Sequence, residues 1–379
     1  MSTRIWDYDT VSKVCEIGFH ASIFCVQLIG RIKLSYNTSM DWHIFGHDWA
    51  VNLLRTHAAG GKLRHAYLFV GPEGVGRETL ALRFAQALNC SQPPVPGEFC
   101  GECKDCRQIW ARQYPDLSLV QPVEGHKDIL IDQVRELQQT LALAPYAANY
   151  RIALLPDFQH VTEQAENALL KTLEEPPEKV VLLLTVDALE NLLPTIVSRC
   201  EVIRLRPAPL QAAQGYLESV HRLPADRAHL IAHLSGGRVG AALRMVAEPQ
   251  SINQRVERMA AFISLLPAMR HERFKLAEKL TRTYQNARQN AIEAVSLWLS
   301  FWRDVFVRAS AAQLPLVNVD LEPEVNQAAR QLDVKSARSL VIAHEKALQE
   351  LDRYANVQLL LETLMLQWPK LTISRPELD

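Results

Sequence analysis

Ala66-Tyr67-Leu68-Phe69-Val70-Gly71-Pro72-Glu73-Gly74-Val75-Gly76-Arg77-Glu78-Thr79 is the stretch that decides how this chain is read. Its apolar start predicts a buried strand and the pattern of Leu80 to Leu88 predicts a helix, so the glycines between them make a strand-to-helix turn. The phosphate-binding pattern G-x-x-x-x-G-K-[ST] needs glycines so that backbone N–H groups can approach phosphate. It also needs a Lys for the β/γ-phosphates and a hydroxyl for Mg²⁺. Here Gly71, Gly74 and Gly76 keep the outline, but Arg77 stands at the Lys position, Glu78 at the hydroxyl position, and Thr79 comes one residue late. Arginine keeps the charge but is a planar fork, not a compact ammonium, and the Glu78 carboxylate occupies a place suited to phosphate charge. The expectation is an NTPase architecture with little or no hydrolysis of its own. ATP binding by this degenerate loop (Gly71, Gly74, Gly76, Arg77, Thr79) is doubtful.

Outward from the loop, residues 40 to about 206 alternate short apolar strands with amphipathic helices, which favours a parallel sheet covered by helices. The strands are expected at Ala66–Val70, Leu117–Gln121, Arg151–Leu155, Val180–Val186 and Glu201–Leu205. Helices are expected at Ile131–Leu143 and Glu163–Glu174, with a short one at Leu192–Ser198. A doubly wound sheet binds ligands beyond the carboxyl ends of its strands, where Gly71 to Gly76 lies. Pro207-Ala208-Pro209 reads as a linker, and helical periodicity dominates after it, with Gly236-Gly237 as a break between two helices. Later helices are expected at Asn286–Ala312, Val334–Arg353 and Val357–Leu366; Trp298, Phe301 and Trp302 at helical spacing read as packing residues.

With 379 residues, the chain is long enough for two or three domains. The segments read as an extension (1–39), an α/β domain carrying a cysteine insert (40–207), a small helical domain (208–268) and a further all-helical domain (269–379). The extension's apolar stretch Ile17 to Ile32 is broken by His20 and Gln27, is too short to span a bilayer, and lacks a small-residue cleavage site. A formal net charge of -1 gives no sign of bulk nucleic-acid binding, so any DNA contact is expected to be local or shared with partners.

Four of the seven cysteines, Cys90, Cys100, Cys103 and Cys106, fall close together. Two consecutive C-x-x-C steps can turn three thiolates around one ion, and Cys90 at the end of the loop helix can close a tetrahedral set. A pair of disulfides is the alternative. With no secretory signal, structural zinc is the expectation, and four protein ligands leave no open position for catalysis. Cys15 and Cys25 lie in the extension, and Cys200 reads as a small buried hydrophobe.

The stretch Asn167-Ala168-Leu169-Leu170-Lys171-Thr172-Leu173-Glu174-Glu175-Pro176-Pro177, followed by Pro194-Thr195-Ile196-Val197-Ser198-Arg199-Cys200, resembles bacterial clamp-loader subunits of the AAA+ superfamily. So does His65 to Phe69 leading into the glycine loop, with the four-cysteine insert just after it. The resemblance implies an AAA+ α/β domain followed by a small helical lid and an all-α collar. It also implies a cytoplasmic, replisome-associated ring assembled with tau/gamma ATPase subunits and a delta subunit, loading a sliding clamp on primed DNA. Within this family one kind of subunit hydrolyses ATP and another does not, and the departures of this sequence decide between them. A working ATPase places Asp-Glu after the strand where this chain has Leu155-Pro156-Asp157-Phe158, a single carboxylate. The family's second sensor arginine falls near Gly240, and Arg238 is two residues out of register. Thr185 and Asp187 stand where the first sensor would be. Arg199 resembles the family's arginine finger, which acts in trans on a neighbour's ATP; a surface ion pair is its bland alternative. The competing readings are an ATP-hydrolysing tau/gamma-type subunit and a zinc-containing nucleic-acid module. Lys171 with Glu175 reads as a solvated pair, Asp132 as a helix N-cap, and His43, His47, His57, His65 and His160 as surface or capping residues.

Overall fold

The computed structural model describes residues 42–60, 62–123, 126–282, 287–352 and 356–373. The chain divides into two units, Met1–His43 and Ile44–Asp379, and the sheet and helices named below belong to the second. The expected extension over residues 1–39, with Cys15 and Cys25, lies outside the described residues.

Five strands make one sheet: β1 (Ala66–Val70), β2 (Leu117–Leu119), β3 (Arg151–Leu155), β4 (Val180–Val186) and β5 (Glu201–Arg204). Their order is β2-β3-β4-β1-β5 and every pairing is parallel. All residues of β1, β3 and β4 are buried. That explains why these segments read as unbroken apolar runs: a parallel strand covered on both faces has no solvent side to mark with polar residues. Around the sheet come α1 (Asp48–Ala58), α2 (Arg77–Asn89), α3 (Lys104–Trp110), α4 (Ile131–Leu141), α5 (Glu163–Glu174) and the single turn α6 (Pro194–Val197). The parallel α/β sheet with flanking helices, followed among the described residues by helices alone, is the fold class expected from the sequence.

Asp116, just before β2, shows how polar groups fix the sheet's edge. Its buried carboxylate accepts N–H bonds from Tyr146, Ala147 and Ala148 at 2.8–3.0 Å and faces the Arg151 guanidinium at 3.0 Å. Burial alone would raise this carboxyl, but the three backbone donors and Arg151 together hold it below its ordinary value. The loop entering β3 is thereby anchored to the start of β2.

Past β5 the described residues hold only helices: α7 (Leu210–Ser219), α8 (Ala225–Ser235), α9 (Val239–Ala247), α10 (Pro249–Leu265), α11 (Arg270–Thr281), α12 (Ala287–Ala309), α13 (Glu322–Gln331), α14 (Val334–Asp352) and α15 (Val357–Leu366). Gly236 ends α8 in the left-handed conformation that a helix C-cap favours, and Gly237 follows at φ +76°, so the glycine pair separates α8 from α9 as expected. The helices enclose two apolar cores. A small one gathers Ala213, Leu217, Ile231 and Ala242. A large one runs from Met259 to Leu371 and includes Trp298, Phe301, Trp302 and Trp368. The second half of α10 belongs to the large core, packing with helices beyond residue 270.

Some boundaries move. β2 and β5 stop at Leu119 and Arg204, α4 stops at Leu141, and the helix expected over Leu192–Ser198 shrinks to α6. Asp132 is not an N-cap: Leu130 precedes the helix, and its N–H is received by the Gln133 side chain at 3.0 Å. Asp132 instead pairs with Arg135 along the helix at 3.2 Å.

Candidate functional site

The glycine loop bridges β1 and α2, with Gly71 N–H donating to the carbonyl of Val186 at the end of β4 and Val75 N–H to that of Pro72. Its outer face meets the start of α9. The Ala241 N–H donates to the Gly74 carbonyl at 3.2 Å. The approach is so close that a Cβ built on Gly74 would lie 2.8 Å from Ala241 Cβ, and one on Gly240 would lie 2.8 Å from Gly74 O. Gly74 also holds φ +79°, a conformation L side chains rarely adopt. Two arginines add to the contact: Arg238 Nη1 donates to the Glu73 carbonyl at 3.3 Å and Arg244 Nη2 meets Glu73 Oε1 at 2.8 Å. Gly240, where the second sensor arginine would stand, is thus the point at which α9 rests on the loop.

Arg77 opens α2 and is buried, and its Nη2 donates to Asp157 Oδ1 at 2.7 Å. The cation that would serve a phosphate and the carboxylate that would serve Mg²⁺ therefore neutralise each other. Asp157 sits at φ +47° beyond the end of β3, held there because its N–H donates to Thr185 Oγ1 at 2.9 Å while Phe158 N–H donates to the Thr185 carbonyl. Thr185, at the position of the first sensor, is buried and fixes this turn. Asp187 caps locally, accepting from Ala188 N–H and Asn191 Nδ2, each at 2.8 Å. Glu78 pairs with Arg112 at 2.7 Å. Burial pushes its carboxyl up, Arg112 pulling the other way. Thr79 borders the recess lined by Glu78, Leu82, Trp110, Ala111 and Arg112.

The Sγ atoms of Cys90, Cys100, Cys103 and Cys106 all lie within 4.8 Å of one another, with Cys90–Cys100 at 3.6 Å and both Cys90–Cys103 and Cys100–Cys106 at 4.0 Å. A disulfide would need about 2.05 Å, so all four are free thiols. Tetrahedral zinc with sulfur at about 2.3 Å sets its sulfurs about 3.8 Å apart, which the three spacings bracket. Backbone N–H groups of Cys100, Cys103 and Cys106 donate to the thiols of Cys90, Cys100 and Cys103 at 3.3–3.4 Å, favouring the thiolate form. At Cys103 burial works against ionisation, but the N–H of Cys106 and the Ser91 side chain outweigh it and bring the thiol down to about 6. Burial raises Cys90 and Cys106. The donor set fits the metal expected of it. The insert is joined to α2 where Gln86 donates to the Cys106 carbonyl at 2.7 Å and the Arg83 guanidinium lies 4.1 Å from the Trp110 ring centroid.

Arg199 follows α6 and precedes β5. Its Nη1 donates to the Thr195 carbonyl at 2.9 Å and its Nη2 meets Glu174 Oε1, at the end of α5, at 2.6 Å. Both side chains are partly exposed, 34% and 53%. On this helix the carboxylate that meets a cation is Glu174, where the sequence reading pairs Lys171 with Glu175.

Three positions depart from their sequence reading or escape it. His47 and His57 are buried, not surface residues, and His47 stands at the N-cap position of α1 without a capping bond from its side chain. His47 Nε2 bonds the Val75 carbonyl at 3.2 Å, tying the start of α1 to the glycine loop, and His57 Nδ1 bonds the Tyr67 hydroxyl at 2.9 Å. Burial lowers both imidazoles. The third is Glu174, whose partner lies 25 residues on. Cys200 packs partly buried against the sheet core, its thiol pushed up to about 12 by burial.

Residues 46–209 match the family model described as DNA polymerase III, delta subunit, and residues 249–370 match that described as DNA polymerase III, delta subunit, C terminal. The Pseudomonas aeruginosa protein named DNA polymerase III subunit delta' is 39% identical over 184 residues, 47% of this chain, and the chain spans about half (55%) of that relative's length. The Bacillus subtilis protein of the same name is 27% identical over 316 residues, covering 83% of this chain and 94% of its own. The Bacillus subtilis DNA polymerase III subunit tau is 31% identical over 177 residues, 47% of this chain and 31% of its own. No helix among the described residues is long and apolar enough to cross a membrane. With both family models matched in order along it and delta' proteins among its relatives, the chain belongs to the delta/delta' family of DNA polymerase III subunits.

Proposed function

We propose that this chain is a clamp-loader ring member that does not hydrolyse ATP and supplies Arg199 in trans to an adjacent tau/gamma ATPase subunit. In that assembly it also adjoins a delta subunit, and the complex loads a sliding clamp on primed DNA. The observation that carries the reading is the Arg77–Asp157 ion pair at 2.7 Å. It joins the two groups that nucleotide and Mg²⁺ would each require, beneath a loop whose Gly74 carbonyl already receives α9. Hydrolysis in cis needs a cation free for the β/γ-phosphates, a metal-holding carboxylate and an activated water, and these residues are committed to one another.

Arg199 supports the other half. A guanidinium at an exposed turn suits an anionic oxygen supplied by a neighbour. There it neutralises charge that develops on the transferred γ-phosphoryl, an effect worth about 10³- to 10⁵-fold where such arginines act. Cys90, Cys100, Cys103 and Cys106 would hold a structural zinc, which fixes the insert against α2 without taking part in the reaction. Metal analysis of purified protein is expected to find one zinc per chain; four freely titrating thiols and no metal would contradict this.

The test of function is reconstitution with tau/gamma and delta subunits, comparing clamp-stimulated ATPase for wild type and Arg199→Ala. The variant is expected to assemble normally while hydrolysis falls steeply at the site Arg199 serves. An assembled Arg199→Ala complex that hydrolyses at the wild-type rate would overturn the trans role.

A further inference from the structure

Resting on that reading of Arg199, we infer that Glu174 is a positioning residue: it parks the Arg199 guanidinium within its own subunit and competes with the incoming phosphate for it. The two charges meet at 2.6 Å, Glu174 from the last residue of α5 and Arg199 from the turn after α6. The Thr195 carbonyl holds the other amino group at 2.9 Å. Two of the five guanidinium N–H groups are engaged in this way, and three remain for a further acceptor.

Exposure decides how firmly the arginine is held. At 34% and 53% exposed, the partners form a surface ion pair, screened by water and easily exchanged. Partnering by a carboxylate nonetheless removes charge from the guanidinium until something more anionic displaces it, and a γ-phosphate is more strongly charged than one carboxylate. The end of α5 reinforces the parked position, because unpaired carbonyls at a helix C-terminus attract a cation. Glu174 thereby makes the arginine's availability depend on how closely the neighbouring nucleotide approaches. Basal hydrolysis is restrained, while hydrolysis in the fully closed ring is spared.

The experiment uses the reconstituted complex with wild type, Glu174→Gln, Arg199→Ala and the double variant. Glu174→Gln is expected to raise basal ATPase, without clamp or DNA, about two- to fivefold, the range a surface pair supports. The fully stimulated rate should change little, and the double variant should fall to the level of Arg199→Ala. Basal turnover that is unchanged or lowered in Glu174→Gln while Arg199→Ala still loses activity would overturn the parking role and leave the trans role standing. Normal hydrolysis in Arg199→Ala would instead remove the reading on which it rests. A second measurement needs no assembly: phenylglyoxal modification of Arg199 in the protein alone, followed by peptide mass, should run about two- to fivefold faster in Glu174→Gln. Equal rates in the two proteins would contradict the proposal.

Discussion

Arg77 keeps the charge of a phosphate-binding lysine but directs it inward. Its guanidinium belongs to a residue only 6% exposed and reaches a carboxylate 80 residues away in sequence. Each half of this pair is legible alone, Arg77 as a departure from the loop pattern and Asp157 as a lone acid where two are expected. Their meeting is not, because residue spacing says nothing about which strand ends lie side by side. Once the strand order β3-β4-β1 is known the pairing follows, since β1 and β3 flank the same strand. Asp157→Asn should leave Arg77 buried with a weaker partner and cost about 1–3 kcal/mol of stability, toward the low end because the Asp157 side chain is half-exposed. It should give no ATP turnover. Urea denaturation and an ATPase assay together check both halves; a variant as stable as wild type would show that the pair carries no weight.

Among the elements, the three central strands are legible to the residue because continuous burial gives continuous apolar sequence. The edges are less so. β2 and β5 are shorter than their apolar runs, and α4 begins after Leu130, where the Gln133 side chain receives the Leu130 N–H and Asp132 plays no capping part. The aromatic stripe of α12 packs as its spacing implies, but no spacing rule points to the group beside it. There His344, on α14, is fully buried: its Nδ1–H donates to the Leu340 carbonyl at 2.7 Å and its Nε2 accepts the Trp368 indole N–H at 3.2 Å. Burial lowers this imidazole to about 4, the Leu340 bond opposing only in part. The unfolded chain takes up a proton near pH 6.5, which the folded one refuses until about pH 4. The stability tied to the neutral ring is therefore complete above pH 6.5 and is lost as pH falls toward 4. Unfolding by urea, followed by tryptophan fluorescence, should show about 2 kcal/mol less stability at pH 5 than at pH 7 from this group. In His344→Phe, weaker at both values, that difference should vanish; the same pH slope in variant and wild type would contradict the assignment.

At the scale of the whole molecule, the glycine loop is held by parts of the chain distant in sequence. The loop between β1 and α2 receives α9 on Gly74, His47 on Val75, and Arg238 and Arg244 on Glu73. The resemblance in sequence carries the fold class and the loss of the chemical groups. It does not carry the contact of α9 with the loop, which joins residues more than 160 positions apart and depends on the missing side chain of Gly240 and the small one of Ala241. An ATPase cleft must admit nucleotide between loop and lid helix, whereas here the two are in van der Waals contact. Arg199 lies at the other end of the same sheet's strands and stays partly exposed beside Glu174. The most direct measurement is equilibrium binding and turnover of Mg²⁺·ATP by the purified chain alone, at nucleotide concentrations up to millimolar. The account predicts neither saturable binding that depends on Mg²⁺ nor phosphate release above background. Saturable binding with turnover that disappears in Arg77→Ala would contradict it.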